Sequence, residues 1–362
     1  MSSGKRIESI DMAKGLMMIY VIIVHVTSLT MIGQILVHCT FGGAMIAFFA
    51  LSGYTYSAGN RTYIENIIKR IKQLLVPYLI YFICLFIYAC LFSMGIGLTS
   101  SFTEALSYLP SVIMDKVNVT SFYGATTFDF NLLMYSFTAP MWFLTGMITS
   151  SFIFCAIARF ADKSKAVCVG IIVGLLAVSC VLKQIFPDPV FFDIQDAPAF
   201  AGVMFTGLVL RKNKTLENRK LKGIWLVLCF VGLILFDLLM IVAIGLPFGL
   251  SGGIWGKFGG YSVFPGYIIG ILGLFMYVYI CDALKNVKVI KNVLTYIGQN
   301  TLHILLIHCP IGATIVILAG LMPTRFDPTN KAMFITLGIA ILVGVLSCLY
   351  VEVLNKIKQK RK

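Results

Sequence analysis

Long apolar runs alternate with short polar stretches along almost the whole chain, and they divide into ten segments at roughly 12–32, 38–58, 74–95, 140–158, 166–182, 197–210, 223–244, 262–281, 297–320 and 332–351. A membrane-crossing helix needs about 20 consecutive, mostly apolar residues. Lipid offers no partner for an open backbone, so each segment is expected to be helical. The sixth segment is short for a span. The pattern predicts an all-α polytopic membrane protein with about ten transmembrane helices.

The polar stretches then fix an orientation. With the N-terminus inside, 24 of the 29 Lys and Arg fall on one side, and only Lys116, Lys183, Lys257, Arg325 and Lys331 fall on the other. Acidic residues divide evenly, with Asp237 left inside a span. This is the behaviour of the positive-inside rule, which Asp and Glu barely influence. Both termini are expected to be cytoplasmic, in the cell (plasma) membrane. The first apolar run follows basic residues as a signal peptide would, but it is long enough to span and is expected to be retained. The longest connection, 96–139, is expected outside. It carries Phe102, Tyr108, Phe122, Tyr123, Phe128 and Phe130, an aromatic content suited to folding back onto the membrane face. A connection of this length is usually functional or disordered. Residues 1–362 are expected to form a single integral-membrane domain with no appended soluble domain.

Composition agrees. Of 362 residues, 59% are hydrophobic and 12% charged, and mean hydropathy is +0.93. The net charge of +14 is scattered through short loops, which is a topology signal and not a nucleic-acid footprint. The ten cysteines all lie within or beside apolar segments and form no CxxC pair, so disulfides and a cysteine metal site are not expected.

Candidate chemistry begins in the first apolar segment, which contains Asp11, Lys14 and His25. Ionisable groups at membrane depth are costly and usually face a protein interior or a watery cavity. At about 100° per residue, Lys14 and His25 lie about 20° apart, and Asp11 lies about 40° from His25. The rise from Lys14 to His25 is about 16 Å, roughly half of a ~30 Å hydrocarbon layer. One stripe therefore runs from the membrane surface to mid-bilayer. Lys5, Arg6 and Lys14, with the loop from Arg61 to Lys72, form a basic rim able to hold phosphates or to meet anionic lipid. Arg70 and Lys72 stand at the start of the third span, just before Pro77. No metal is expected, because His303 and His308 are five apart, about 140° around a helix.

Four stretches resemble the membrane acyltransferase-3 family, in the family's order. "IDMAKGLMMIYVIIVH" is similar to its opening Asp-x-x-Arg/Lys followed by ten residues and His. "AFFALSGYTYS" resembles its Phe-Phe-x-Leu-Ser-Gly-Tyr element, and "MWFLTGM" its Trp-Phe-Leu element. "IGQNTLHILLIHCP" resembles the late helix ending in Leu-x-x-His-x-Pro, here Leu305, His308 and Pro310. One departure is the usual Arg-x-x-Arg before Leu-x-x-Pro. Here Arg70 matches, Gln73 stands in the second position, and Lys72 is beside it.

The resemblance implies a membrane O-acyltransferase that moves an acyl group, in the family usually acetyl from cytosolic acetyl-CoA, to a hydroxyl of a surface or envelope carbohydrate. It implies His25 as catalytic residue supported by Lys14 and Asp11, with Arg70, Lys72 and Arg6 toward the donor. Ser52, Trp142 and His308 would line the cavity or position substrate. Neutral imidazole, with an unperturbed pKa of about 6.5, suits deprotonation of a sugar hydroxyl, although acyl transfer through the imidazole itself is also compatible. A second reading is a transporter or flippase, for which ten spans and an intramembrane Asp237 would serve. The two halves of the chain show no similarity of the kind that inverted repeats leave.

Overall fold

The structure is a computed structural model that describes residues 7–27, 43–57, 59, 61–110, 130–186, 194–217, 222–244, 259–321 and 329–360. Arg6, Lys5, His38 and the side chain of Asp237 lie outside the described residues, as do Phe122, Tyr123 and Phe128 of the long connection.

Among the described residues every regular element is helical. In chain order they are α1 (Glu8–Val26), α2 (Ala44–Tyr54), α3 (Tyr63–Gly95), α4 (Phe102–Ser107), α5 (Phe130–Thr138), α6 (Trp142–Ile157), α7 (Lys165–Ile185), α8 (Ala197–Lys212), α9 (Lys222–Ile244), α10 (Val263–Leu284), α11 (Lys288–Gln299), α12 (Thr301–Leu318) and α13 (Asn330–Lys360). Among the described residues seven are long and apolar enough to cross a membrane, namely α1, α3, α6 with its following turn, α7, α10, α12 and α13. The other three expected segments are helical as well. Of these, α2 has 11 residues, α8 has 16 and α9 has 23.

The short pair has a packing reason. Every residue of α8 from Ala197 to Leu208 is buried. A helix surrounded by protein has no lipid thickness to match. The α2 and α8 backbones touch through glycine: a Cβ on Gly53 would run into the carbonyl of Met204, and one on Gly207 into that of Ala50.

The spans divide into wall and interior. Only 17% of the apolar window of α7 is buried, against 61% for α1 and for α10. The outer helix α7 leaves Val169, Val173, Val178, Val181 and Ile185 exposed, and α13 leaves Phe334, Ile341, Val345, Leu349 and Val353 exposed. Contiguous apolar faces of this kind are a liability in water and the natural surface in lipid. By contrast, Met12, Ala13, Met17, Met18 and Val21 of α1 are fully buried.

Parallel packing of α1 on α11 and α12 positions the site. A Cβ on Gly15 would collide with the carbonyl of Leu294, and one on Gly298 with the carbonyl of Asp11. Glu8 pairs with Lys291 at 2.9 Å below this crossing, and the His25 and His308 rings meet above it. The same offset in residue number thus relates Gly15 to Gly298 and His25 to His308. This crossing also draws the start of α1 back to Glu8, four residues before the expected boundary, because Ile10 and Asp11 are buried on it.

Helix α3 opens on a capping box, in which Thr62 accepts from the Glu65 N–H and Glu65 accepts from the Thr62 N–H. It runs alongside α12, with the Tyr81 hydroxyl 3.1 Å from His303 Nδ1 and the Tyr88 hydroxyl 2.9 Å from Thr314 Oγ1. From the long connection, Tyr108 stacks on Phe130 at 5.1 Å, and Phe130 meets Phe86 of α3 at 6.0 Å. Just before α4, the Ser100 N–H and hydroxyl both donate to Glu104 of its first turn, at 2.7 and 2.6 Å. They hold its exposed carboxyl below the ordinary carboxylate range.

The glycine crossing can be tested directly. Gly298→Ala should lower stability by about 1–3 kcal/mol through overpacking. Gly174→Ala on α7, where an added Cβ meets nothing within 4 Å, should be neutral or stabilising by up to about 1 kcal/mol. Thermal unfolding of both variants in one detergent makes the comparison, and equal melting points would contradict the crossing.

Candidate active site

Because α1 is one unbroken helix, Asp11, Lys14 and His25 keep a common stripe. Asp11 is buried, and Lys14 and His25 are half-buried. His25 Nδ1 lies 2.7 Å from the carbonyl oxygen of Val21, one turn back. A carbonyl can only accept, so Nδ1 carries the ring proton and donates it. In the neutral imidazole Nε2 therefore holds the lone pair.

His308 repeats the arrangement from α12. Its Nδ1 lies 2.9 Å from the Leu305 carbonyl and 3.1 Å from that of Ile304, and the residue is fully buried. The two rings stand edge to face, with centroids 5.3 Å apart and planes at 74°. Cys309 Sγ is 3.3 Å from His308 Nε2. His25, His308 and Cys309 each offer one ligand atom, all within 4.8 Å of one another. The expectation of no metal rested on the spacing of His303 and His308, and it is the other helix, α1, that brings the second imidazole. His303 itself belongs elsewhere, between Tyr81 and Lys358 Nζ, the latter 3.4 Å from its Nε2.

The second constellation is basic. Arg70 turns inward, its guanidinium donating to Ser52 Oγ at 3.2 Å and lying over the Tyr56 ring at 5.6 Å. Next to it opens a cavity of about 820 Å³ lined by Tyr56, Arg61, Asn66, Cys155, Arg159, Asp162, Arg211 and Lys212, among others. Arg211 donates to the Tyr56 carbonyl at 2.6 Å, Arg61 to Asn66 Oδ1 at 3.1 Å, and Lys212 pairs with Asp162. Three guanidiniums and an ammonium, offset by a single carboxylate, leave the lining of this cavity net positive, a charge that suits an anion.

The site residues expected from sequence thus separate into groups. His25 and His308 meet. Ser52 joins Arg70 in a direct hydrogen bond on the basic side. Lys72 is exposed and about 200° around the helix from Arg70, so it does not stand in for the missing second arginine on that face. Trp142 packs at 6.2 Å from Phe143 and 6.4 Å from Phe200, in an aromatic group with Phe49. Along α3 and α12 the Arg70 level and the histidine pair are separated by about 24 Å, at ~1.5 Å of rise per residue.

Sequence reasoning missed Cys309, although it stands in the quoted string "LIHCP". It also missed Arg159 and Arg211, which end apolar segments and read as topology charges. Their one signal was position: both lie on the same membrane side as Arg61 and Arg70.

The family model described as "Acyltransferase domain" matches residues 7–352, almost the full length. The chain belongs to that family. No curated protein and no solved structure matches it.

The Arg70–Ser52 contact generates a measurable coupling. Ser52→Ala and Arg70→Gln should each destabilise, and the double variant should fall short of additivity by roughly 0.5–3 kcal/mol, the range for contacting residues. Melting points of the four proteins close the cycle, and strict additivity would mean that the bond contributes nothing.

Proposed function

We propose that this member of the acyltransferase family is an integral plasma-membrane O-acetyltransferase. It carries acetyl from cytosolic acetyl-CoA to a hydroxyl of a cell-surface or envelope glycan. The carrying observation is the pair of imidazoles whose Nδ1–H groups are bound to their own helices, turning a nitrogen lone pair toward the interior. A sugar hydroxyl attacks a thioester only as its proton leaves. His25 Nε2 takes that proton while the hydroxyl oxygen bonds to the acyl carbon. The CoA thiolate departs and the imidazolium returns the proton. His308 stands beside it and orients the acceptor.

The donor has anionic phosphates at one end and a thioester at the other, and the protein offers two matching regions. The basic cavity lined by Arg61, Arg159 and Arg211, with Arg70 beside it over the Tyr56 ring, suits the phosphates. Lys14, on the His25 stripe between cytosolic surface and mid-membrane, guides the donor inward. Ser52 positions the Arg70 guanidinium. Asp11 and the glycine crossing hold the base of α1 in place, and Trp142 with its aromatic neighbours shapes the acceptor side. Membrane lipid surrounds the exposed faces of α7 and α13. A transporter reading is not favoured: the family is one of acyltransferases.

His25→Ala should lower acetyl transfer by roughly 10²–10⁴-fold, the usual contribution of a general base, with the melting point unchanged. Transfer from labelled acetyl-CoA and mass spectrometry of envelope glycans read it out. Normal acetylation by the folded variant overturns the role, and movement of substrate across liposomes without acetyl-CoA consumption would favour transport. Arg159→Gln and Arg211→Gln together should raise the donor KM several-fold and leave kcat nearly unchanged, as loss of uniform binding does.

A further inference from the structure

We propose that His25, His308 and Cys309 form a binding site for a borderline-soft divalent cation of the zinc class, and that occupation of this site blocks acyl transfer. Two imidazoles and a thiol are the donor set such ions select. All three ligand atoms lie within 4.8 Å of one another. In a tetrahedral zinc site neighbouring ligand atoms stand roughly 3.3–3.6 Å apart, given bonds of about 2.0 Å to nitrogen and 2.3 Å to sulfur. The Cys309 Sγ to His308 Nε2 separation of 3.3 Å already meets this, so small side-chain rotations close the rest.

The second shell is in place before any ion arrives. Metal-bound histidines usually donate the other ring N–H to a carbonyl or carboxylate, which fixes the tautomer and ring direction. Both imidazoles do this through Nδ1, His25 to Val21 and His308 to Leu305 and Ile304. Their Nε2 atoms are thereby the ligating nitrogens. The half-buried His25 gives access to a cluster whose other two members are buried.

Binding is balanced in charge and atoms. The cation bonds to sulfur, the thiol proton leaves to solvent, and the thiolate reduces the net charge of the occupied site to +1. Three protein ligands leave one coordination position open. The lone pair of His25 Nε2 is then held by the metal and cannot accept a proton from a hydroxyl. This inhibitory consequence rests on the proposed role of His25, whereas binding does not.

Cobalt is the probe, in detergent-purified, chelator-stripped full-length protein. One equivalent of Co2+ should produce the thiolate-to-cobalt charge-transfer absorption and tetrahedral ligand-field bands, both displaced by Zn2+. Cys309→Ser, which preserves shape, should abolish the charge-transfer band. Loss of an outer-shell partner alone costs roughly 10–100-fold in metal affinity, so this loss of a ligand should weaken Zn2+ binding by at least about 100-fold. Zn2+ should inhibit wild-type transfer, and the inhibition curve of Cys309→Ser, normalised to its own metal-free rate, should shift to higher Zn2+ by a similar factor. Absence of the thiolate band, its persistence in Cys309→Ser, or Zn2+ binding without inhibition of an active protein overturns the proposal. Absence of acyl transfer in metal-free wild type would instead count against the acetyltransferase reading, while the cobalt spectrum still judges the site.

Discussion

Everything proposed for this protein depends on how closely α1 approaches α11. Two glycines, Gly15 and Gly298, let the backbones touch where any side chain would meet a carbonyl. Because the helices run parallel, contact at this point sets the register of everything above it. Ten residues further along each path, His25 and His308 face one another. Two segments nearly 300 residues apart in sequence are therefore aligned by backbone proximity and not by any attraction between the imidazoles themselves. In a bilayer this is a sensible division of labour, since apolar side chains gain little from leaving lipid for protein and close backbone packing has to supply the attraction.

The same logic explains which expectations survived contact with the structure. Among the described residues seven helices are long and apolar enough to span, and lipid imposes length and hydropathy directly on those that touch it, as the exposed valines of α7 illustrate. Helices α2 and α8 escape that rule. They are apolar because they are enclosed, and their glycine contacts, Gly53 with Met204 and Gly207 with Ala50, reflect a neighbouring helix and not a membrane thickness. Hydropathy alone does not separate the two causes.

For the site, periodicity within one helix carried far and juxtaposition between helices carried little. The Asp11, Lys14 and His25 stripe needed only the pitch of α1. The four motifs named the stretches that carry these residues, but nothing in their spacing told that Ser52 would bond Arg70. The Leu-x-x-His-x-Pro resemblance singled out His308, and the structure gives His303 other partners, Tyr81 of α3 and Lys358 of α13. Lys72 is the converse case. Its charge is of the right kind, and its place two residues beyond Arg70 turns it to solvent.

The Nδ1 hydrogen bonds tie two properties of the site together. On the proposed reading, binding the ring proton to a backbone carbonyl lets the helix deliver a base whose tautomer and direction need no adjustment when a hydroxyl arrives. An imidazole prepared in that way for a proton is equally prepared for a metal ion, because both use the same lone pair. Histidine alone cannot discriminate between them. Cys309 can, since a thiol adds greatly to affinity for a zinc-class ion and little to the removal of a proton from a sugar. Serine in place of Cys309 would preserve the size of the cluster and the tautomers of both histidines. The thiol is accordingly the feature of this cluster that general-base chemistry does not require, and its position 3.3 Å from His308 Nε2 is what gives the cation site its physical basis.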